Sequence, residues 1–373
     1  MAPRNPYRAR PPFAALVLLL LQACLNVAEP RADRDTRIGH AELESTRLDV
    51  TDGLAAIRRL EPGQVELWAN APALHVRLVL ADSANDEWSL TIRNTLPDAV
   101  LSATSNGQPF ALSSEGEAVF STERRVHFSA PGGSSIDFTL SPPDAATAAP
   151  FEFIDFADVQ EAVDVVSDVF DAMNQESAAR FVTMAGDITR SGSSEQLERF
   201  QREQQRLHLP IFVTLGNHEL GDSDVPYHDF FGRGSYSFVF RGARFTFLDS
   251  ASATLDPSVY GWLDEWLQAG RNQPHLTFMH VPPLDPSGIR NGAFSSRAEA
   301  DKLLARLGRG RVATTFYGHI HSYYAFENAG IPAFISGGGG AIPERFDNIG
   351  RHFLVVRVDP EAHAVTSRVV RVD

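Results

Sequence analysis

The sequence predicts an all-β sandwich domain followed by an α/β domain. Three patterns carry that expectation: two-residue alternation of apolar side chains in the first half, strand–helix–strand alternation in the second, and a proline- and alanine-rich stretch between them. At 373 residues and 43% hydrophobic, the chain is long enough to bury two cores.

Arg4, Arg8 and Arg10 form a basic start without acids, and residues 13–21 are an uninterrupted apolar run. Nine residues are too few to span a bilayer, so residues 1–23 read as a signal peptide and not as part of the fold. Leu21-Gln22-Ala23-Cys24 resembles a bacterial lipobox. The resemblance implies cleavage before Cys24, lipidation of that residue, and an exported body held by its lipid on the periplasmic or cell-surface side of a bacterial membrane. Cys24 is the only cysteine, so no intrachain disulfide can form. Residues 24–45 are charged and lack a hydrophobic period, which predicts a tether.

From residue 46 to 142 the pattern is that of short strands. Leu74, Val76, Leu78 and Leu80 alternate with His75, Arg77 and Val79, and Trp88, Leu90 and Ile92 alternate with Ser89, Thr91 and Arg93. Val126 and Phe128 are followed across Gly132-Gly133 by Ile136, Phe138 and Leu140, while Asn106-Gly107 marks a hairpin. A β-sandwich follows from this spacing. Trp68 and Trp88 read as core, and the domain offers no catalytic cluster. Residues 143–150 form the linker.

In the domain spanning 151–373 the expected elements begin with a strand at 151–156, a helix at 159–173 and a strand at 181–185. A helix at 194–207 and a strand at 211–215 follow. Ligands in open α/β sheets gather just beyond the C-terminal ends of strands. Polar motifs stand at such ends: Asp158-Val159-Gln160, Gly186-Asp187, Gly216-Asn217-His218-Glu219, His280 after 276–279, and Gly318-His319-Ile320-His321 after 312–317. Carboxylate, amide and imidazole groups delivered together suit two divalent cations, and Asp187 is the natural bridge between them.

Composition removes competing classes. With 33 basic against 47 acidic residues the chain lacks a general nucleic-acid footprint, and Lys302, the only lysine, leaves Schiff-base chemistry and phosphate-loop lysines without candidates. Neither a Gly-x-Ser-x-Gly elbow nor a His-Glu-x-x-His helix occurs, so serine hydrolase and zincin readings lack their central residues.

The ordered motif set resembles the signature of calcineurin-like metallophosphoesterases over residues 150–373. That resemblance implies a two-sheet αββα sandwich and a site for two divalent metal ions (Mn, Fe, Zn or similar). Asp158, Gln160, Asp187 and His321 would surround one ion, and Asp187, Asn217, His280 and His319 the other. It further implies metal-bound hydroxide as the nucleophile on a phosphate mono- or diester, with His218 as general acid or phosphate contact. The family often has histidine where Gln160 stands, and a glutamine carbonyl is the weaker ligand. Gly186-Asp187-Ile188-Thr189-Arg190 lacks the second aspartate of Ser/Thr protein phosphatases and the tyrosine of purple acid phosphatases, so neither branch is favoured. Arg290 and Arg297, in the Gly/Ser-rich segment after His280, are candidate substrate contacts. The run Gly337 through Gly340 reads as a tight turn beside the site, because no lysine or helix start follows it. The alternative function is a cell-surface binding lipoprotein whose phosphoesterase scaffold is catalytically weak or inactive, a reading that Gln160 alone favours.

Overall fold

The computed structural model describes residues 27–84, 86–114, 120–288, 292–344 and 348–372, so the expected signal peptide, Cys24 and Arg290 lie outside the described residues.

In the first half, alternation becomes two sheets around one core. Thr46–Val50, Leu74–Val79, Ser135–Ser141 and Val100–Ser105 are neighbours in one sheet, and Ala55–Glu61, Gln64–Ala69, Glu87–Arg93 and Glu123–Ser129 in the other. Leu74, Val76 and Leu78 from the first share a core with Trp88, Leu90 and Ile92 from the second. Asn106 and Gly107, both left-handed, turn Val100–Ser105 back onto Gln108–Phe110. The expected hairpin is present.

The tether expectation fails over its described part. Residues 29–35 form the helix Glu29–Asp35, and His40–Leu43 pairs with Thr46–Val50 as an edge strand of the sandwich. The reason is electrostatic as well as apolar: Arg31 and Asp35 lie four apart on one helical face, and both are buried against partners in the second half of the chain. The linker, residues 143–150, is irregular but pinned, since Asp144 pairs with Arg180 at 3.2 Å and Arg241 at 2.6 Å.

The second half is a two-sheet sandwich. Ile211–Val213, Ala179–Met184 and Phe151–Phe156 run parallel in one sheet, completed by His352–Asp359 and Ala364–Arg371. Ala243–Leu248, His275–Met279, Thr314–Tyr317 and Ile331–Ser336 run parallel in the other, with Tyr236–Phe240 and Tyr323–Asn328 at its edges. Between the sheets, Phe153 packs on Phe181, Phe245, Phe278 and Phe316 with ring centroids 5.7, 5.3, 6.0 and 5.9 Å away. Ser167–Met173 and Ser194–Gln204 cover the outer face of the first sheet through Phe170 and Phe200. Pro257–Ala269 and Arg297–Arg309 cover the second through Leu263 and Leu303. The architecture is the expected αββα sandwich beside an all-β domain.

One element departs from its expected form. The helix expected over 159–173 is split into a 3₁₀ segment, Gln160–Val165, and the α-helix Ser167–Met173. Val163, Val165 and Val166 disfavour a regular helix, and Asp158 and Gln160 both adopt left-handed backbone (φ 64° and 49°) to aim their side chains.

Candidate metal centre

Parallel strands linked by helices bring all their C-terminal ends to one side of a sheet, and the two sheets bring theirs to the same place. Four of the residues that gather there, Asp158, Gln160, Asp187 and His319, have positive φ. Left-handed backbone at non-glycine residues costs on the order of 1–3 kcal/mol each, and the surrounding fold must over-determine it. Glycines let the loops close up. A Cβ on Gly186 would lie 2.6 Å from the Gly216 nitrogen, and one on Gly318 would lie 2.7 Å from Ala157 Cβ.

Asp187 is the centre of the constellation. Its Oδ1 accepts the His218 backbone N–H at 2.9 Å and lies 3.2 Å from His280 Nε2, while its Oδ2 accepts Gln160 Nε2 at 2.7 Å. Two groups of ligand atoms, each within 4.8 Å of one another, share it: Asp187, His280 and His319 in one, Asp158, Asp187 and His321 in the other. Asn217 Oδ1 lies 3.0 Å from His280 Nε2 and 2.8 Å from His319 Nδ1, which places it with the first group. Gln160 Nε2 lies 3.0 Å from His321 Nε2, within the second.

The hydrogen bonds fix which imidazole atoms face inward. His280 Nδ1–H donates to Ala185 O at 2.7 Å and His321 Nδ1–H to Ile342 O at 2.8 Å, so each ring turns Nε2 toward the carboxylates. There, carboxylate, amide and imidazole groups converge in a buried space that calls for positive charge. Burial disfavours charge on His280, yet the Asp187 and Asp158 carboxylates prevail and raise it from 6.5 to about 9. Burial likewise opposes ionisation of Asp187, but His280 and then His218 hold its carboxyl well below the usual range. Asp158 is pushed up by burial to about 6 against the pull of His280 and His321. This donor set of carboxylates, imidazoles and amide oxygens fits borderline divalent cations. A half-turn of the Gln160 amide would present Oε1 in place of Nε2.

His218 stands differently from the rest. Its Nδ1–H donates to Arg190 O at 2.6 Å, its Nε2 is 3.8 Å from Asp187 Oδ2, and its side chain keeps 31% exposure. It can meet a group arriving from solvent while its ring stays fixed. Arg297 lines a cavity of about 350 Å³ together with Asn217, His319, Val281 and Phe294. The glycine run borders the centre too, with Gly339 N donating to Ala157 O at 2.8 Å.

Glu219 and Asp249 are buried acids that went unassigned in the sequence. Glu219 accepts the Gly216 N–H at 2.8 Å and the Thr189 N–H at 3.1 Å, tying the two motif loops together. Burial, then the charge of Asp187, pushes it up to about 8. Asp249 follows Ala243–Leu248 and pairs with Arg31. Its position just beyond a strand end was the signal available for finding it.

The calcineurin-like phosphoesterase family model matches residues 153–323. A 3′,5′-cyclic-nucleotide phosphodiesterase of Nostoc sp. (strain PCC 7120) is 28% identical over 153 residues, covering 38% of this chain and 55% of that protein. The chain thus spans about half the length of this curated relative. Among solved structures, a dimetal phosphatase from Danio rerio aligns at 15% identity over 60% of this chain and 99% of its own, with a TM-score of 0.45. PhoD aligns at 12% identity over 81% and 88%, with a TM-score of 0.46. The stretch matched by the family model, residues 153–323, contains every ligand atom of the two groups around Asp187.

Proposed function

We propose that this chain is a metal-dependent hydrolase of phosphate mono- or diesters, in which the two ligand groups that share Asp187 would hold two divalent ions. The observation that carries the reading is the sharing of Asp187 between two ligand groups at the strand ends. Divalent cations held there would supply Lewis acidity to the phosphoryl oxygens and to water. The protein's own groups do the rest. Asp158, Asp187, Asn217, His280, His319 and His321 hold the charge in place, Glu219 braces the loops, and His218 Nε2 meets the phosphate or protonates the leaving oxygen. Arg297 and the cavity beside His319 receive the organic arm of the ester. The Nostoc relative, named for cyclic diester cleavage, makes the diester the first substrate to try.

The rival reading, a cell-surface binding lipoprotein with a weak or inactive scaffold, draws on Gln160. Its amide nitrogen sits between Asp187 and His321, the place expected of a ligand atom. Hydrolysis of p-nitrophenyl phosphate, its bis-ester and a cyclic nucleotide, measured across Mn, Fe, Zn, Mg and Ca, decides between them. About two bound ions with no hydrolysis of any ester would leave the binding reading standing. His218→Ala should lower kcat about 10²-fold with metal content unchanged, and full activity in that variant would remove it from the chemistry. We also propose that the mature chain is anchored through a lipid on Cys24, a reading supported by residues 1–24 alone. Unchanged membrane fractionation of Cys24→Ser would refute it.

A further inference from the structure

The helix Glu29–Asp35 lies at the start of the described chain, far in sequence from every metal-centre motif, yet it grips the loops beside that centre. Arg31 Nε donates to Asp249 Oδ2 at 2.6 Å and a terminal Arg31 nitrogen to Asp249 Oδ1 at 3.2 Å, a two-pronged pair with side chains 7% and 6% exposed. The same terminal nitrogen donates to Ser252 Oγ at 3.0 Å. Asp249 Oδ1 in turn accepts the Ala251 N–H at 3.0 Å, so one carboxylate ties the helix to the turn that follows Ala243–Leu248. At the other end of the helix, Asp35 accepts the Gly234 and Ser235 N–H groups at 2.8 and 2.9 Å, and Ser235 Oγ accepts the Asp249 N–H at 3.0 Å. The two charged residues thus hold one continuous unit.

That unit borders the site. Ala251 and Ala253 line the cavity of about 350 Å³ that also touches Asn217, His319 and Arg297. The Ala253 carbonyl accepts the Ser295 N–H at 2.9 Å, which passes the turn's position on to the segment leading into Arg297. A buried ion pair contributes little net stability, because desolvation offsets the Coulomb gain. What a forked guanidinium–carboxylate pair supplies is fixed geometry.

We propose that Arg31 is a positioning residue of the phosphoester site, holding the 249–253 turn as the wall against which the ester's organic arm packs. The inference rests on the phosphoester reading for its kinetic arm alone. With bis-p-nitrophenyl phosphate and the metal-loaded full chain, Arg31→Gln should raise KM about tenfold while kcat and bound metal stay within about twofold. Arg31→Lys should recover part of the loss, since one ammonium can replace one prong of the fork. Ser252→Ala, which leaves the ion pair intact, should raise KM by about threefold. Hydrogen exchange gives a readout free of catalysis: amides in 249–253 should exchange about tenfold faster in Arg31→Gln, with His275–Met279 unchanged. Unchanged KM together with unchanged exchange would overturn the proposal. So would a fall in kcat and metal content with KM intact, the mark of a general structural role. Were the wild type to cleave no ester, the phosphoester reading would fail, and the exchange result would decide the positioning role by itself. If Arg31→Gln did not fold, the KM and exchange of Ser252→Ala would decide it.

Discussion

His275 and His280 stand at the two ends of one strand, both fully buried, and their neighbours push their proton affinities in opposite directions. At the start of His275–Met279, burial and then the neighbouring Arg244 push His275 down to about 3, and its Nε2 meets the Thr246 hydroxyl at 2.8 Å. Just past the end of the strand, burial acts on His280 in the same direction, but two carboxylates raise it to about 9. Residue type, burial and strand are shared. The difference lies in what adjacent strands deliver at each end: Arg244 beside His275, Asp187 and Asp158 beside His280.

Asp187 is the carboxylate that most sets His280 apart from His275. Asp187→Asn keeps the shape but removes the shared charge, so ester hydrolysis should fall at least ~10³-fold, about 4 kcal/mol of barrier, with loss of bound metal. Normal activity and metal content in that variant would take Asp187 out of the centre.

His275 sharpens the other side. Because its native pKa is depressed, the unfolded chain takes up a proton that the folded chain refuses as pH falls below about 6.5, and stability is lost progressively toward about pH 3. Between pH 7 and 5 the loss should be about 2 kcal/mol, and His275→Gln should flatten that part of the profile. Denaturant unfolding in the presence of chelator, at both pH values, reads the effect apart from any metal. A variant with the wild-type slope would show that His275 is not the responsible group.

The smallest expected effect is at Gln160. Gln160→His places an imidazole, the stronger ligand, at this position and should tighten one cation by severalfold, less than about 1.4 kcal/mol, as read by metal titration. Loss of metal in this variant would mean that the compact amide is itself required between Asp187 and His321.

Much of the centre was legible because its ligands sit in short local motifs at the ends of strongly apolar strands. Asp187, Asn217, His280, His319 and His321 each follow a strand whose apolar run is readable alone, and the structure brings all five together. The helix Glu29–Asp35 was not legible, since seven residues give too short a window for a period and its partners lie about two hundred residues away. Arg31 and Asp35 at i, i+4 resemble any solvated charged pair until Asp249 and the Gly234–Ser235 backbone are placed beside them. Gly132-Gly133 shows the same limit: it carries the chain between the two sheets of the sandwich, from Glu123–Ser129 to Ser135–Ser141. Alternation fixes which side chains face inward but not which sheet a strand joins.

By itself, then, the sequence determined the order of β and α/β halves, the strands and the chemistry waiting at their ends, because periodicity and motif spacing are local properties of the chain. Tertiary structure alone decided which lone pairs converge, which nitrogen of each imidazole faces them, and that a charged segment expected to be a tether braces the wall beside the site. Those outcomes depend on distances between residues far apart in sequence, and such distances exist only once the two sheets have packed.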